Sequence, residues 1–393
     1  MEKSISNRFY FDYNATSPLS IKVQDFLRGG DFLFGNPSSL HQEGKKSKKF
    51  INETTNFLLN LFQLNDKDFH VVYHSGASEG INSFFKGSAL NAFKNKEHCC
   101  YFISQTDHAC VFNLKEFLEL LGHEVFYFEV NRQGEFDLEK LISDIKRKQI
   151  NNTKVFLNFT VINNETGVVW PFSLAEKIKK ETGACIHVDA VQLAGKIENW
   201  MRISHMLDAY TFSGHKFGAM KGVGFSLIKN SMEMMPLISG GSQQNNLRAG
   251  TENALGIYSL KLALEDMVQS FSDKVLKSAK DFIEHNISEK IRGKGEIIAH
   301  QSSCRNLNTI FLLIKNTKAE IVSMRFDMAN ISVSTGSACS SGIIKENRVL
   351  MSMGYSAEES RSAIRISFSP LMDLVQAKEY WIEIEKILDD ILK

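Results

Sequence analysis

The sequence predicts an α/β fold, with a large domain on a mostly parallel seven-stranded sheet and a smaller α+β domain. Three observations carry that expectation. Seven short runs of apolar, β-branched or aromatic residues lie between positions 69 and 228. Helical spacings fall between several of them, as in Leu114, Phe117, Leu118 and Leu121 at i, i+3, i+4, i+7. After Glu252 the texture changes to a long helical pattern followed by isolated strands.

In order, the seven runs are Phe69–Val72, Cys100–Ser104, Val125–Phe128, Val155–Thr160, Cys185–Val188, Ala209–Phe212 and Gly224–Ile228. Strand–helix alternation with short connections argues a mostly parallel sheet covered on both faces. The later helical pattern passes through Leu255, Leu260, Leu262, Leu264 and Met267, with no proline until Pro370. Strands at Leu307–Leu313, Ile331–Ser334 and Ala363–Phe368, a helix near Glu320–Met328 and a terminal helix ending in Leu392 complete the reading. The large domain is expected at 15–264, the small one at 1–14 and 265–393.

Charge excludes some partners. Lys and Arg number 46 against 45 acidic residues, so net charge supports neither nucleic-acid nor membrane-surface binding. The Lys45, Lys46, Lys48, Lys49 stretch reads as a solvated helix face. No apolar run reaches the roughly 18–20 residues of a membrane helix, and the N-terminus has no signal-peptide core. A cytoplasmic, reducing location is the expectation. Six cysteines at 99, 100, 110, 185, 304 and 339 include no C-x-x-C pair, so neither a disulfide framework nor a metal is expected. Cys99, Cys100 and Cys185 sit in apolar runs as packing residues. Cys339 differs. It lies in Ser332-Val333-Ser334-Thr335-Gly336-Ser337-Ala338-Cys339-Ser340-Ser341-Gly342, a segment of small residues that could not bury a core thiol. That setting suits a mobile nucleophile.

Doubly wound sheets place their sites at the carboxyl ends of strands. After the first run comes Ser75-Gly76-Ala77-Ser78-Glu79, small residues opening a helix, where free N–H groups can cradle a phosphate or Ser can simply cap. After the second comes His108, and after the fourth Asn163-Asn164. Asp189 arrives directly from an apolar strand and requires a cation or several donors. Lys216 follows the sixth run. An amine, a carboxylate and a phosphate cradle at successive strand ends are what pyridoxal phosphate requires: a Schiff-base partner, a proton holder for the ring nitrogen, and an anchor.

With these residues in view, the chain resembles the cysteine desulfurases, pyridoxal phosphate enzymes of aminotransferase fold type I, class V. The motifs SGASE, TDHACV, NNETGV, HVDAVQ, FSGHKF, LRAGTEN and STGSACSSG occur in family order, between Asp12-Tyr13-Asn14-Ala15-Thr16 and Ile364-Arg365-Ile366-Ser367. The 26-residue step from Cys339 to Arg365 is similar to that of the long-loop branch serving nitrogen fixation and iron–sulfur assembly. The resemblance implies that Lys216 binds the cofactor, Asp189 its ring nitrogen and Gln192 its ring hydroxyl, with His108 stacked on the ring. It implies that Ala77, Ser78, Ser213 and His215 hold the phosphate, and that Thr251 reaches the phosphate of a second subunit in a homodimer. Asn164 and Arg365 would bind the substrate carboxylate, with Asn14 and Asn36 lining the same pocket. L-cysteine would become L-alanine, its sulfur passing to Cys339 as a persulfide and then to an acceptor protein of iron–sulfur assembly or a thiolation pathway. A selenocysteine lyase and a catalytically silent scaffold are the alternatives; a silent scaffold would be colourless. Two segments depart from the family pattern, Phe217-Gly218-Ala219-Met220 and Gln243-Gln244-Asn245-Asn246. The 28 residues after Arg365 are fewer than in relatives whose tail docks a scaffold protein, which leaves the acceptor open.

Overall fold

A strand covered on both faces has no polar side to alternate with, so it reads as an unbroken apolar run. The strand Cys99–Ser104 shows this directly. Cys99, Tyr101 and Ile103 pack with Ile81, Phe84 and Phe85 of the helix Ala77–Lys94, while Cys100 and Phe102 join a second core on the opposite face. The computed structural model describes residues 8–149, 152–335 and 346–393.

In chain order the first strands are β1 (Phe9–Tyr10), β2 (Phe69–His74), β3 (Cys99–Ser104), β4 (Glu124–Phe128), β5 (Lys154–Thr160), β6 (Cys185–Asp189), β7 (Ala209–Ser213) and β8 (Gly224–Lys229). Seven of them form one sheet in the order β2-β8-β7-β6-β5-β3-β4. Its pairs are parallel except the two made by β8. Each predicted run is a strand here, lengthened by a residue or two. The exposed face of the helix Gln42–Leu61 carries Lys45, Lys46, Lys48 and Lys49, as expected.

A separate core gathers Phe11, Ile283, Ile287, Phe326 and Ile384. It is backed by an antiparallel sheet of β9 (Gly295–Ile297), β10 (Thr309–Ile314) and β12 (Ala363–Ser367), in the order β12-β10-β9. The long helical pattern after Glu252 proves to be two helices, Ala254–Ser270 and Asp273–Lys290. Between them Phe271 turns extended (φ −74°, ψ 132°) and packs against both cores, so the chain changes direction where it crosses from one to the other. The strand expected at Ile331–Ser334 pairs over only Ile331–Ser332 (β11), parallel to β1. Beyond it Ser334 bridges to Arg365.

The unusual segment Gln243–Asn246 has a structural task. Gln244 accepts the Tyr73 N–H (2.5 Å) and donates to the Tyr73 carbonyl (3.1 Å), completing the open edge of β2. That pose places Gln244, Asn245 and Asn246 at φ 48°, 55° and 61°, a left-handed region that Asn tolerates better than most residues. Among the described residues, no helix is long and apolar enough to cross a membrane.

Candidate active site

Because all strands of the sheet but β8 share one direction, the turns after β2, β3, β5, β6 and β7 collect along one edge. After β2, no side chain caps the 18-residue helix Ala77–Lys94. Its first turn presents the amides of Ala77 and Ser78 and the positive end of the helix dipole. Gly80 allows this close approach, since a Cβ there would lie 2.3 Å from His74 Nε2. Arg248 (3.0 Å) and the Ser75 amide (2.7 Å) hold the carboxylate of Glu79.

After β3, Asp107 is fully buried and accepts from the Ser104 amide (2.9 Å) and the Thr160 hydroxyl (2.7 Å). Burial outweighs those donors and pushes its carboxyl up to about 7. Next to it, His108 caps the short helix Ala109–Phe112 by accepting the Cys110 amide at Nδ1 (3.2 Å). With Nδ1 an acceptor, the neutral ring carries its proton on Nε2. Burial, then Lys216 and Arg348, hold this imidazole below its ordinary pKa. The Cys110 sulfur lies 3.1 Å from the same Nδ1. Burial and, next, Asp189 raise that thiol to about 12.

Asp189 closes β6, nearly buried, with its Oδ1 accepting the Val191 amide at 3.1 Å. Burial pushes its carboxyl up to about 6, against the pull of that amide and of Lys216. Gln192 Nε2 donates to the Asn14 carbonyl (3.0 Å). After β7, Lys216 ends a single 3-10 turn, and its Nζ donates to the carbonyls of Asn14 and Ala15, each at 2.8 Å. Burial first, then Arg365, lower this amine to about 8, while Asp12 and Asp189 oppose the shift. His215 Nδ1 sits 3.2 Å from Thr16 Oγ1, and burial followed by Lys216 lowers that ring to about 4. Ser213 is buried at the end of β7.

Arg365 reaches the same edge from β12. It is 4% exposed, with Nη2 on Asp12 Oδ1 (2.7 Å) and Nη1 on the Asn164 carbonyl (3.0 Å). Its Nε is buried with no partner among the described residues.

His108, Asp189, Gln192, Lys216, Asn164 and Arg365 are thus brought together, while Asn14 is buried beside them and Asn36 and Thr251 lie at the surface. Asn14 is 1% exposed, and its amide is spent internally. Nδ2 donates to the Asn164 carbonyl (3.1 Å) and Thr309 Oγ1 (2.8 Å), while Oδ1 accepts from Lys196 (3.0 Å) and Asn308 (3.3 Å). An amide offers two donors and two lone pairs, and the protein engages all four here. Asn36 is exposed and uses its Oδ1 on the Ser38 amide of its own turn (2.9 Å). Thr251 is exposed. Cys339 lies outside the described residues.

Sequence reasoning missed Asp12, Asp107 and Lys196. Each left a faint signal: a charge set in or against an apolar run, as in Leu193-Ala194-Gly195-Lys196-Ile197. What each charge meets is decided by residues far away in the chain.

The family description Aminotransferase class-V matches residues 9–377. The chain belongs to the class-V aminotransferase family. One relative in that family, the cysteine desulfurase IscS of Dictyoglomus turgidum, is 31% identical over 364 residues, spanning 91% of this chain and 89% of that protein. Among solved structures, a NifS-like protein from Rickettsia africae ESF-5 superposes with a TM-score of 0.82 at 28% identity, covering 98% of this chain and all of that one. SspA in complex with cysteine superposes with a TM-score of 0.76 at 27% identity, over 92% and 99% of the two chains. The class-V architecture explains why the site straddles both bodies: five strand ends come from the large sheet and Arg365 from the small one.

Proposed function

We propose that this chain is a cysteine desulfurase that binds pyridoxal phosphate, converts L-cysteine to L-alanine and collects the sulfur on Cys339 for an acceptor protein. The observation that carries the reading is the placement of Lys216 and Asp189 at the ends of neighbouring parallel strands, facing an uncapped helix start. The fit to the cofactor rests on three features. Asp189 is a buried carboxylate with one amide donor, a site that a protonated ring nitrogen would complete. The first turn of Ala77–Lys94 suits a phosphate, with Ser213, which ends the strand packed against that helix, and His215 just beyond it to join. Lys216 has an amine low enough in pKa to condense with an aldehyde near neutral pH.

Once bound, the cofactor supplies an imine-forming carbonyl and a ring that stores electrons from the α-carbon. The remaining work belongs to the chain. Lys216 Nζ would take and return the substrate's α-proton, and His108, with its proton on Nε2, would lie against the bound cofactor and assist proton transfer. Arg365 and Asn164 orient the substrate by its carboxylate. Cys339 would attack as thiolate: a sulfur–sulfur bond forms, the substrate carbon–sulfur bond breaks with its electron pair left on the β-carbon, that carbon takes up a proton and the α-carbon regains its own, and L-alanine leaves while Cys339 keeps a persulfide. The SspA complex with cysteine is consistent with the substrate. A homodimer is part of the proposal. Thr251 is exposed, and exposed Met235, Leu237 and Ile238 approach its segment, where the Ile238 carbonyl accepts the Ala249 amide (3.1 Å). Sulfur acceptance by a scaffold or thiolation enzyme in the cytoplasm completes the reading.

The test is turnover: purified yellow protein given L-cysteine and a reductant should release L-alanine and sulfide in equal amounts. Borohydride reduction should leave the pyridoxyl group on Lys216; finding it on Lys221 would overturn the assignment. The lowered amine adds a pH signature. Colour development after mixing empty protein with cofactor should accelerate about tenfold per pH unit up to about pH 8 and then level off, because only the unprotonated amine attacks. A rate still climbing toward pH 10.5, the ordinary lysine value, would mean that the reacting amine is an exposed one.

A further inference from the structure

Among the described residues, Lys196 has no carboxylate hydrogen-bonded to its amine. Its side chain is 1% exposed, and its Nζ donates to Asn14 Oδ1 (3.0 Å) and to Gln192 Oε1. Both acceptors are neutral amides. The charged groups acting on it are Lys216 and Arg365, which disfavour a positive charge, and Asp12, which favours one. A buried amine among those neighbours is expensive to keep charged, so a neutral amine held by two amide oxygens fits the surroundings.

The contact has a consequence for Gln192. A glutamine amide can face either way, and hydrogen bonds choose the face. Here Lys196 occupies Oε1, and Nε2 gives one hydrogen to the Asn14 carbonyl, the acceptor that also takes Lys216 Nζ. With Lys196 fixing which end of the amide is the oxygen, the donor left is the second N–H of Nε2. We propose that Lys196 is a positioning residue that locks the Gln192 amide, so that Gln192 meets the cofactor's ring oxygen as a donor and not as an acceptor. The inference rests on the pyridoxal phosphate reading above. A donor on that oxygen stabilises its negative charge, which is greatest when the neighbouring imine is unprotonated. Gln192 fixed this way therefore lowers the pH at which the bound cofactor's visible absorbance titrates.

Lys196→Met keeps the length and removes the donor; Lys196→Gln keeps a neutral N–H donor. With cofactor content measured by alkaline release, Lys196→Met should raise the absorbance pKa by about one unit, a tenfold change in the protonation equilibrium, as expected for losing one hydrogen bond to a charged oxygen. Lys196→Gln should titrate near wild type. In a Gln192→Ala background, Lys196→Met should add almost nothing, because the effect passes through Gln192. The proposal fails if loaded Lys196→Met titrates like wild type, or if its full shift persists in the Gln192→Ala background. Should Lys196→Met not fold, Lys196→Ala against Lys196→Gln carries the same contrast. Wild-type protein that binds no cofactor would instead sink the functional reading.

Discussion

Cys339→Ser protein is expected to bind cofactor and L-cysteine as wild type does, yet to release sulfide at least about a thousandfold more slowly, roughly 4 kcal/mol in the barrier. A serine hydroxyl stays protonated and attacks sulfur poorly, whereas a thiolate is the competent nucleophile. Other thiols do not substitute. Burial raises Cys99 and Cys100 to about 11 and Cys110 to about 12, and it lifts Cys185 and Cys304 above the ordinary thiol range. All five are thus held as thiols at neutral pH. Wild-type protein given L-cysteine without reductant should gain one sulfur atom, and peptide mass spectrometry should place it on the Cys339 peptide. Sulfur on Cys110, the thiol beside His108, would reverse the assignment, as would Cys339→Ser protein turning over at the wild-type rate.

How far such a site is legible in a sequence depends on how local its physics is. The central sheet was readable because its strands are buried on both faces, and each appears as a compact apolar run from Phe69 to Lys229. Strand ends then drew attention to His108, Asp189 and Lys216 without any side-chain geometry. The short strands β1 and β9 left no such trace, and β11 was expected two residues longer than it pairs. β1 and β11 exist because Phe9 and Tyr10 meet Ile331 and Ser332 across the whole chain. Asn14 was readable as a motif residue but not as a hub, since its partners Asn164, Lys196, Asn308 and Thr309 are supplied by distant segments. The helix break at Phe271 is likewise tertiary: the side chain serves two cores, and no proline or glycine announces it. Buried polar networks are specified by what surrounds them, and that is absent from any local pattern.

Arg365→Ala should lower kcat/KM for L-cysteine by roughly 30-fold to several thousandfold while cofactor content is unchanged, corresponding to about 2–5 kcal/mol for removing one partner of a desolvated charge pair. The geometry says why the loss is large. Two of the guanidinium's donors are committed to Asp12 and the Asn164 carbonyl, and its Nε–H is buried with nothing to bond among the described residues. A carboxylate reaching that edge would satisfy a donor that otherwise carries a desolvation cost. Asp12 holds the fork in place through Nη2, so the arginine is oriented before substrate arrives. Lysine would keep the charge but not the planar fork, and Arg365→Lys should recover only a small part of the loss. Substrate comparison isolates the contact. Cysteamine is cysteine without the carboxylate, so wild type should prefer L-cysteine strongly and Arg365→Ala should lose most of that preference. Were the preference to survive in Arg365→Ala, the carboxylate would be bound by other groups, and the Asp12–Arg365 pair would be left with the structural role of joining the first residues of the chain to β12.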